Sequence, residues 1–222
     1  MNIKKPKKII FFCNHATFFV SHRLNLYKLF QNKDNMEPFL IIGKDASISN
    51  AKQSLKTLSE NGVIYKIINL NSTFTNIFKD IYSLIVFYFN IFKERPDIIH
   101  AITLKPILFT SILSFFFKYK LILSFSGFGY LFISEKNSFV KKFYILILKL
   151  FIIKSKTFII VQNSRDYKLI INEFRINKKN ISLINGSGVD LNHFKFNPNK
   201  VKSNIVLFPS RTLKSKGTLE FL

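Results

Sequence analysis

Apolar and polar positions follow two patterns that alternate along the chain. Short apolar runs rich in β-branched and aromatic residues predict strands at 8–13, 38–42, 63–68, 97–102, 120–125, 157–162, 181–184 and 204–209. Longer segments with apolar residues at helical spacing predict helices near 20–31, 49–61, 74–94, 106–117, 137–154 and 164–175. Strands that are apolar almost throughout and alternate with helices are typical of a parallel sheet covered on both faces. The predicted fold class is therefore α/β, a doubly wound, Rossmann-like parallel sheet.

Local signals refine the ends of these elements and the domain organisation. Pro96 predicts the end of one helix, and Ser164 is the expected N-cap of another. The polar stretch K-F-N-P-N-K-V-K-S-N at 195–204 is typical of an interdomain linker. We expect a first domain at 1–190, a linker at 191–203 and the start of a second Rossmann-like domain at 204–222. One strand and half a turn of helix cannot bury a core, so we expect the second domain to be truncated.

The charge of the chain indicates an anionic partner. Lys and Arg number 34 against 12 Asp and Glu, a formal net charge of +22, and 48% of residues are apolar. The basic residues are spread along the whole chain without a nucleic-acid-binding module, so no nucleic-acid partner is expected. An anionic membrane surface fits better, because apolar helices that carry lysines can lie at the interface. One such segment carries Lys141, Lys142, Lys149, Lys154 and Lys156. Codon bias is an alternative explanation of the lysine content.

Cysteine, histidine and hydropathy exclude several other classes. The single cysteine, Cys13, excludes an internal disulfide framework, and the four histidines lack the spacing of zinc ligands. We therefore expect a metal-independent protein of the reducing cytoplasm. No stretch reaches the ~18 uninterrupted apolar residues of a spanning helix, and the apolar run 9–13 is too short for a signal peptide. These features favour a protein that is peripheral on the inner face of the cell membrane.

Ligands of open parallel sheets bind beyond the carboxyl ends of the strands, and the first loop there is polar. The loop at 13–23 places Asn14 and His15 at the sheet edge and Ser21 at the start of a helix. It lacks the glycines of a dinucleotide-binding loop. Ser21 as a helix cap beside a partly solvated His22 is a structural interpretation, and polar contacts with a substrate are the functional one.

Two further loops contain paired glycines. Ser126, Gly127 and Gly129 follow a predicted buried strand, and glycine permits backbone conformations that are closed to other residues. This loop either turns backbone N–H groups toward a ligand or makes a tight turn into a helix. The segment G-S-G-V-D at 186–190 lies just before the predicted linker and has the freedom that a hinge needs.

The last loop is basic. Arg211 and Lys216 surround the turn after the final predicted strand, and a helix is expected to begin near Gly217. A guanidinium fork, a point charge and a helix N-terminus can together bind a diphosphate. A solvated basic turn is the structural alternative.

Six segments together indicate a family. They are S-H-R at 21–23, the stretch from D-I-I-H at 97–100 to T-L-K-P at 103–106, S-G-F-G-Y at 126–130, Q-N-S at 162–164, G-S-G-V-D-L-N-H-F at 186–194 and S-R-T-L-K-S-K-G at 210–217. In this order, over nearly the whole chain, they resemble the glycosyltransferase family 4 enzymes, which have two facing Rossmann-like domains. The resemblance is strongest to the enzymes that elongate undecaprenyl-diphosphate-linked sugars.

The resemblance implies a retaining hexosyltransferase that acts in cell-surface polysaccharide or glycan biosynthesis. Arg211 and Lys216 match the basic pair that grips the donor's diphosphate, and the donor is a nucleotide-sugar substrate, so no cofactor is implied. The acceptor, a lipid-linked glycan, would contact Asn14, His15, Ser126, Gly127 and Gly129, with its lipid tail in the membrane. The reaction would take place in the cleft between the domains.

The chain also departs from the family pattern. Ser126 stands where many relatives have histidine, the first loop lacks a glycine pair, and the paired glutamates of the donor domain do not occur within these 222 residues. We therefore expect the chain alone to be inactive. Two alternatives remain open: a non-catalytic, membrane-docked subunit that presents the acceptor, and a sugar-nucleotide epimerase of the same two-domain architecture.

Overall fold

Seven parallel strands form one sheet. The computed structural model describes residues 5–44, 48–71, 76–127, 139–152, 157–174, 176–192, 194–198, 204–210 and 217–222. The strands are β1 (Lys7–Cys13), β2 (Met36–Ile42), β3 (Tyr65–Ile67), β4 (Ile98–Ile102), β5 (Lys120–Phe125), β6 (Thr157–Val161) and β7 (Ile181–Leu183). Each coincides with a predicted strand to within two or three residues at its ends, so the predicted α/β sheet is confirmed.

The order of the strands creates a crevice at the carboxyl edge of the sheet. The order is β3-β2-β1-β4-β5-β6-β7, and every neighbouring pair is parallel. The chain runs outward from β1 to β3, returns to the middle at β4 and then runs outward to β7. The connections leaving β1 and β4 therefore diverge. Such a topological switch point is where open parallel sheets bind ligands.

Helices cover both faces of the sheet. They are α1 (Ala16–Gln31), α2 (Ile48–Glu60), α3 (Ile77–Glu94), α4 (Leu104–Leu113), α5 (Phe139–Ile152) and α6 (Ser164–Phe174), followed by a 3-10 turn at Lys178–Asn180 and a short helix α7 (Thr218–Phe221). Helices α1 and α2 pack on one face in a core that contains Phe11 and Cys13 of β1. Helices α3 to α6 pack on the other face, against Ile10 and Phe12. Alternate side chains of one strand thus enter different cores, as the pleat requires.

The first helix begins earlier than predicted. α1 starts at Ala16 rather than near residue 20, and His15 is its N-cap residue with an extended backbone. Ser21, expected as the cap, lies inside the helix, where its hydroxyl donates to the carbonyl oxygen of Thr17 at 2.8 Å. His15 makes no side-chain capping hydrogen bond. The true start therefore lacks the capping signal that a sequence can display.

Two other helix ends were predicted from the sequence, with different outcomes. α3 ends at Glu94, just before Pro96, as expected. The cap of α6 is Asn163 rather than Ser164, because the Asn163 Oδ1 atom accepts from the Asp166 backbone N–H at 2.8 Å. The prediction of Ser164 was wrong by one residue.

The chain divides into two compact units, Met1–Gly188 and Val189–Leu222. In the second unit, the strand predicted at 204–209 is not formed. Its apolar residues Ile205, Val206 and Leu207 are exposed. A strand exists only when another strand pairs with it, and the described part of this unit contains no other strand. α7 does begin at Thr218, next to Gly217, as predicted.

Candidate functional site

The carboxyl end of β1 leads into a buried polar residue. Asn14 follows Cys13 directly and is 6% exposed. Among the described residues, its side-chain oxygen Oδ1 has no hydrogen-bond partner. Gly43 fits tightly beside it, since a Cβ atom at residue 43 would lie 2.4 Å from the Asn14 carbonyl oxygen. Asn14 and His15, both predicted to contact substrate, therefore lie at the switch point.

Arg23 is a buried cation on the inner face of α1. It is 7% exposed and shares this face with Phe19 and Tyr27, which contact Phe11 of β1. Its Nη1 atom donates to Ser187 Oγ at 2.9 Å and to the His22 carbonyl oxygen at 2.8 Å. Both acceptors are neutral. Burial lowers the pKa of Arg23, because the charged form loses hydration, and Cys13 opposes this shift.

His100 of β4 and Ser124 of β5 form a buried pair close to Arg23. The His100 Nε2 atom lies 2.6 Å from Ser124 Oγ, and either atom can be the donor, according to the tautomer. Burial, aided by the positive charge of Arg23, lowers the pKa of His100 to about 3. The imidazole is therefore neutral at pH 7 and can exchange a hydrogen bond but cannot offset the charge of Arg23.

Ser187 connects three parts of the first unit. Its Oγ atom accepts from Arg23 of α1 and, at 3.3 Å, from the Nε2 atom of Gln162, which follows β6. Gly186 and Gly188 on either side have φ angles of +73° and +72°, in the left-handed region that favours glycine. The paired glycines therefore shape the loop that brings Ser187 to Arg23.

The other predicted site residues have mixed outcomes. Ser126 is exposed in a bend after β5, and Gly127 follows it with a φ of +131°. Both lie at the same sheet edge as Asn14 and His15, with β4 between the two sets. Gly129, Arg211 and Lys216 lie outside the described residues. In the described part of the chain, no group of three or more His, Cys, Asp or Glu side chains is placed to hold a metal.

Sequence reasoning did not select the residues that cluster most closely. Arg23, His100, Gln162 and Ser187 all lie in motifs that carry the family resemblance, but none was chosen as a binding residue. For Arg23 a signal was present: Ala16, Phe19, Arg23 and Tyr27 recur at helical spacing on one stripe. A charged residue on an otherwise apolar stripe is expected to be buried with a specific role.

A second buried charge lies at the start of α4. Lys105 is fully buried, and its Nζ atom lies 2.6 Å from Asp80 Oδ1 on α3. In contrast to Arg23, this cation has a carboxylate beside it. The pair fixes the first turn of α4 to the first turn of α3 at the carboxyl edge of the sheet.

Comparisons with known proteins identify the fold. No protein-family profile matches the sequence, and no curated protein sequence matches it significantly. Solved structures do match. A glycosyltransferase from Rickettsia africae superimposes with a TM-score of 0.59 at 19% identity, covering 96% of this chain and 55% of that one. The Anabaena protein HepE in complex with UDP superimposes with a TM-score of 0.56 at 14% identity, covering 86% of this chain and 47% of that one.

An epimerase has the same fold. The UDP-GlcNAc 2-epimerase of Neisseria meningitidis, bound to UDP-GlcNAc, gives a TM-score of 0.52 at 12% identity, covering 80% of this chain and 46% of that one. The chain therefore has the Rossmann-like fold of these three proteins and spans about half of their length.

Proposed function

We propose that the chain is the acceptor-side part of a retaining glycosyltransferase of the family 4 type, which transfers a sugar from a nucleotide-sugar to a lipid-linked glycan. The observation that carries the proposal is the polar cluster of Arg23, His100, Ser124, Gln162 and Ser187 at the carboxyl edge of the sheet. Solved structures of the same fold bind UDP and UDP-glucose. Arg23, His100 and Ser124 of this cluster are buried, and buried polar groups at a switch point are typical of a ligand site.

In this proposal the two ends of the chain have different roles. The first unit binds the acceptor, with Asn14, His15, Ser126 and Gly127 at the sheet edge. Arg211 and Lys216, which precede α7, hold the diphosphate of the donor. Breaking the bond between the sugar and the diphosphate places negative charge on the leaving group, and fixed positive charge at that point lowers the barrier. No metal is needed for this step.

An apolar helical face supports the proposed membrane location. On α3, exposed apolar residues recur at helical spacing at Phe78, Ile81, Tyr82, Ile85, Phe89 and Phe92. On α5, which packs on the same face of the sheet, Phe143, Leu146 and Leu150 are exposed. Of the lysines that suggested membrane binding, Lys142 is exposed, while Lys149 lies 3.3 Å from Glu173. Large exposed apolar patches mark interaction sites, and the +22 charge favours an anionic lipid surface. Among the described helices, none is long and apolar enough to cross a bilayer.

The function is tested by following a labelled sugar. A protein in which this chain is followed by a complete donor domain is incubated with radiolabelled nucleotide-sugars and membranes that contain lipid-linked glycans. Transfer of label into the lipid extract is expected, with retention of anomeric configuration. Arg211→Ala or Lys216→Ala should each slow transfer about a hundredfold to a thousandfold, whereas Lys214→Ala is the matched control. Equal loss in all three variants would mean that the turn is a diffuse basic patch.

The epimerase alternative has a specific observation in its favour, because epimerases share the fold. It predicts conversion of UDP-GlcNAc to its 2-epimer without any acceptor and without label in the lipid fraction. If the chain is instead a subunit that presents the acceptor, neither reaction is expected unless a separate catalytic partner is added. The same labelled assay, run with and without acceptor membranes, therefore separates the three functions.

A further inference from the structure

Arg23 is a buried cation with no opposite charge paired to it among the residues that the structure describes. A guanidinium has five N–H donors, and the hydrogen bonds of Arg23 within the described chain both use Nη1. The donors on Nε and Nη2 have no partner among the residues that the structure describes. Likewise, no carboxylate of the described residues forms an ion pair with it. Within the described part of the chain, most of its hydrogen-bonding capacity is therefore unused.

The groups around Arg23 do not neutralise it. His100 is uncharged at pH 7, since its pKa is about 3, and Ser187 and Gln162 carry no charge. Cys13 favours the charged guanidinium, but by less than burial disfavours it. A buried charge is costly unless it is paired. The buried Lys105 of the same molecule is paired in this way, because the carboxylate of Asp80 lies beside it.

Several donors converge near Arg23, and the loop beside them leaves space. The Ser187 oxygen accepts from Arg23 and from Gln162, so its own hydroxyl hydrogen is left to donate to another group. A Cβ atom added at Gly186 or Gly188 would meet nothing within 4 Å. An oxyanion has the lone pairs to accept from these donors and the charge to neutralise the guanidinium, whereas a sugar hydroxyl has no such charge.

We propose that Arg23, Gln162 and Ser187 bind a phosphate or diphosphate group at the carboxyl edge of the sheet. The identity of its carrier rests on the proposed function. Because the donor diphosphate is assigned there to Arg211 and Lys216, the group at Arg23 is the one that joins the acceptor glycan to its lipid. Arg23 is then a residue that positions the acceptor.

Direct binding of inorganic diphosphate tests the site without any transferase activity. The 222-residue chain is titrated in a calorimeter at 0.15 M salt, which screens diffuse attraction by the +22 charge. Arg23→Gln should weaken binding about tenfold to a hundredfold, the effect of losing charge-assisted hydrogen bonds. Arg23→Lys should restore only part of the affinity, since an ammonium lacks the planar fork.

Arg95→Gln is the matched control. Arg95 is exposed at the opposite edge of the sheet, before β4, so the same substitution there removes the same charge. Its affinity for diphosphate should equal that of the unmodified chain. Equal weakening by Arg95→Gln, or unchanged binding in Arg23→Gln, would overturn the proposed site.

Stability provides a second, independent readout. If Arg23 is retained for binding, Arg23→Met should leave the urea midpoint of the ligand-free chain unchanged or raise it, because the substitution removes an unpaired buried charge. The hydrogen bond from Gln162 to Ser187 remains in this variant. A lower midpoint would show that Arg23 has a structural role and would count against the proposal.

The carrier of the phosphate is identified with two soluble probes. Geranyl diphosphate represents the lipid-linked acceptor and UDP represents the donor product. We expect Arg23→Gln to weaken binding of geranyl diphosphate at least tenfold and to leave UDP binding unchanged. Weakening with UDP alone would overturn the acceptor assignment. If diphosphate binding depends on Arg23 but no sugar transfer occurs in the labelled assay, the proposed function fails while the site stands.

Discussion

His100 is folded as a neutral imidazole, and this should reduce the stability of the first unit in acid. In the native state its pKa is about 3, against an ordinary value of 6.5, because burial and Arg23 disfavour the charged ring. Between these two pH values the unfolded chain binds a proton at His100 that the folded chain does not. Stability therefore falls as the pH decreases from 6.5 towards 3.

The size of the effect follows from the same shift. Over this window the free energy of unfolding should decrease by about 1.4 kcal/mol per pH unit on account of His100. At pH 4.5 the loss amounts to about 3 kcal/mol, which is a large part of the ~5 to 15 kcal/mol that stabilises an ordinary domain. Above pH 6.5, the contribution of His100 to the free energy of unfolding should no longer change with pH.

Urea unfolding at several pH values between 7.5 and 4.5 measures this loss. Carboxylates also titrate in this pH range. The informative quantity is therefore the difference in free energy of unfolding between the unmodified chain and His100→Gln, whose amide can still hydrogen-bond Ser124. The variant should lose about 3 kcal/mol less between pH 7.5 and 4.5. His22→Gln is the comparison: burial and Arg23 also lower the pKa of His22, but its side chain is exposed, so the change in pH dependence should be smaller than for His100→Gln. Parallel curves for His100→Gln and the unmodified chain would refute the assignment of a neutral, buried His100.

Three further predictions concern other parts of the first unit. Asp80→Asn removes the carboxylate that lies 2.6 Å from the Nζ atom of the buried Lys105, and urea unfolding should show a loss of about 3 to 5 kcal/mol, which Asp80→Glu partly avoids. Gly43→Ala places a Cβ atom 2.4 and 2.5 Å from two backbone carbonyl oxygens, and a loss of several kcal/mol is expected, on the order of 3; an unchanged urea midpoint would contradict that close packing. Phe78→Ser should reduce co-sedimentation with anionic vesicles, whereas Leu29→Ser on α1 should not, although both side chains are exposed. If the unmodified chain bound neutral vesicles as well as anionic ones, the electrostatic contribution to binding would be contradicted.

The sheet could be predicted because its strands are buried on both faces. β1 and β4 are runs of apolar residues that enter two different cores, so their composition alone distinguishes them from the amphipathic helices. Their parallel direction follows from the long helical connections between them. Predicting the sheet therefore required no knowledge of contacts that are distant in sequence.

The errors occurred where the local sequence was not decisive. The early start of α1 was missed because His15 forms the N-cap with its backbone alone. The strand predicted at 204–209 has the apolar composition of a strand, but strand formation depends on a partner elsewhere in the chain. In both places the outcome depends on tertiary context rather than on residue type.

The candidate site was predicted at the level of loops but not of side chains. Asn14 was chosen correctly as a residue of the sheet edge, because any residue directly after β1 must lie there. The contact between Arg23 and Ser187 spans 164 residues of sequence. Only the folded sheet, which places the loop after β7 beside α1, brings them together.

The proposed phosphate site and the proposed membrane face constrain each other. Arg23 lies on the face of the sheet covered by α1, whereas the apolar stripe lies on α3, which covers the opposite face. A lipid-linked acceptor bound at Arg23 must therefore pass around an edge of the sheet to reach the bilayer. Since α3 runs from the carboxyl edge to the amino edge, its first turn, with the exposed Phe78, is the part nearest to the site. If both proposals hold, the protein docks with the carboxyl edge towards the lipid headgroups and with the first turn of α3 inserted most deeply.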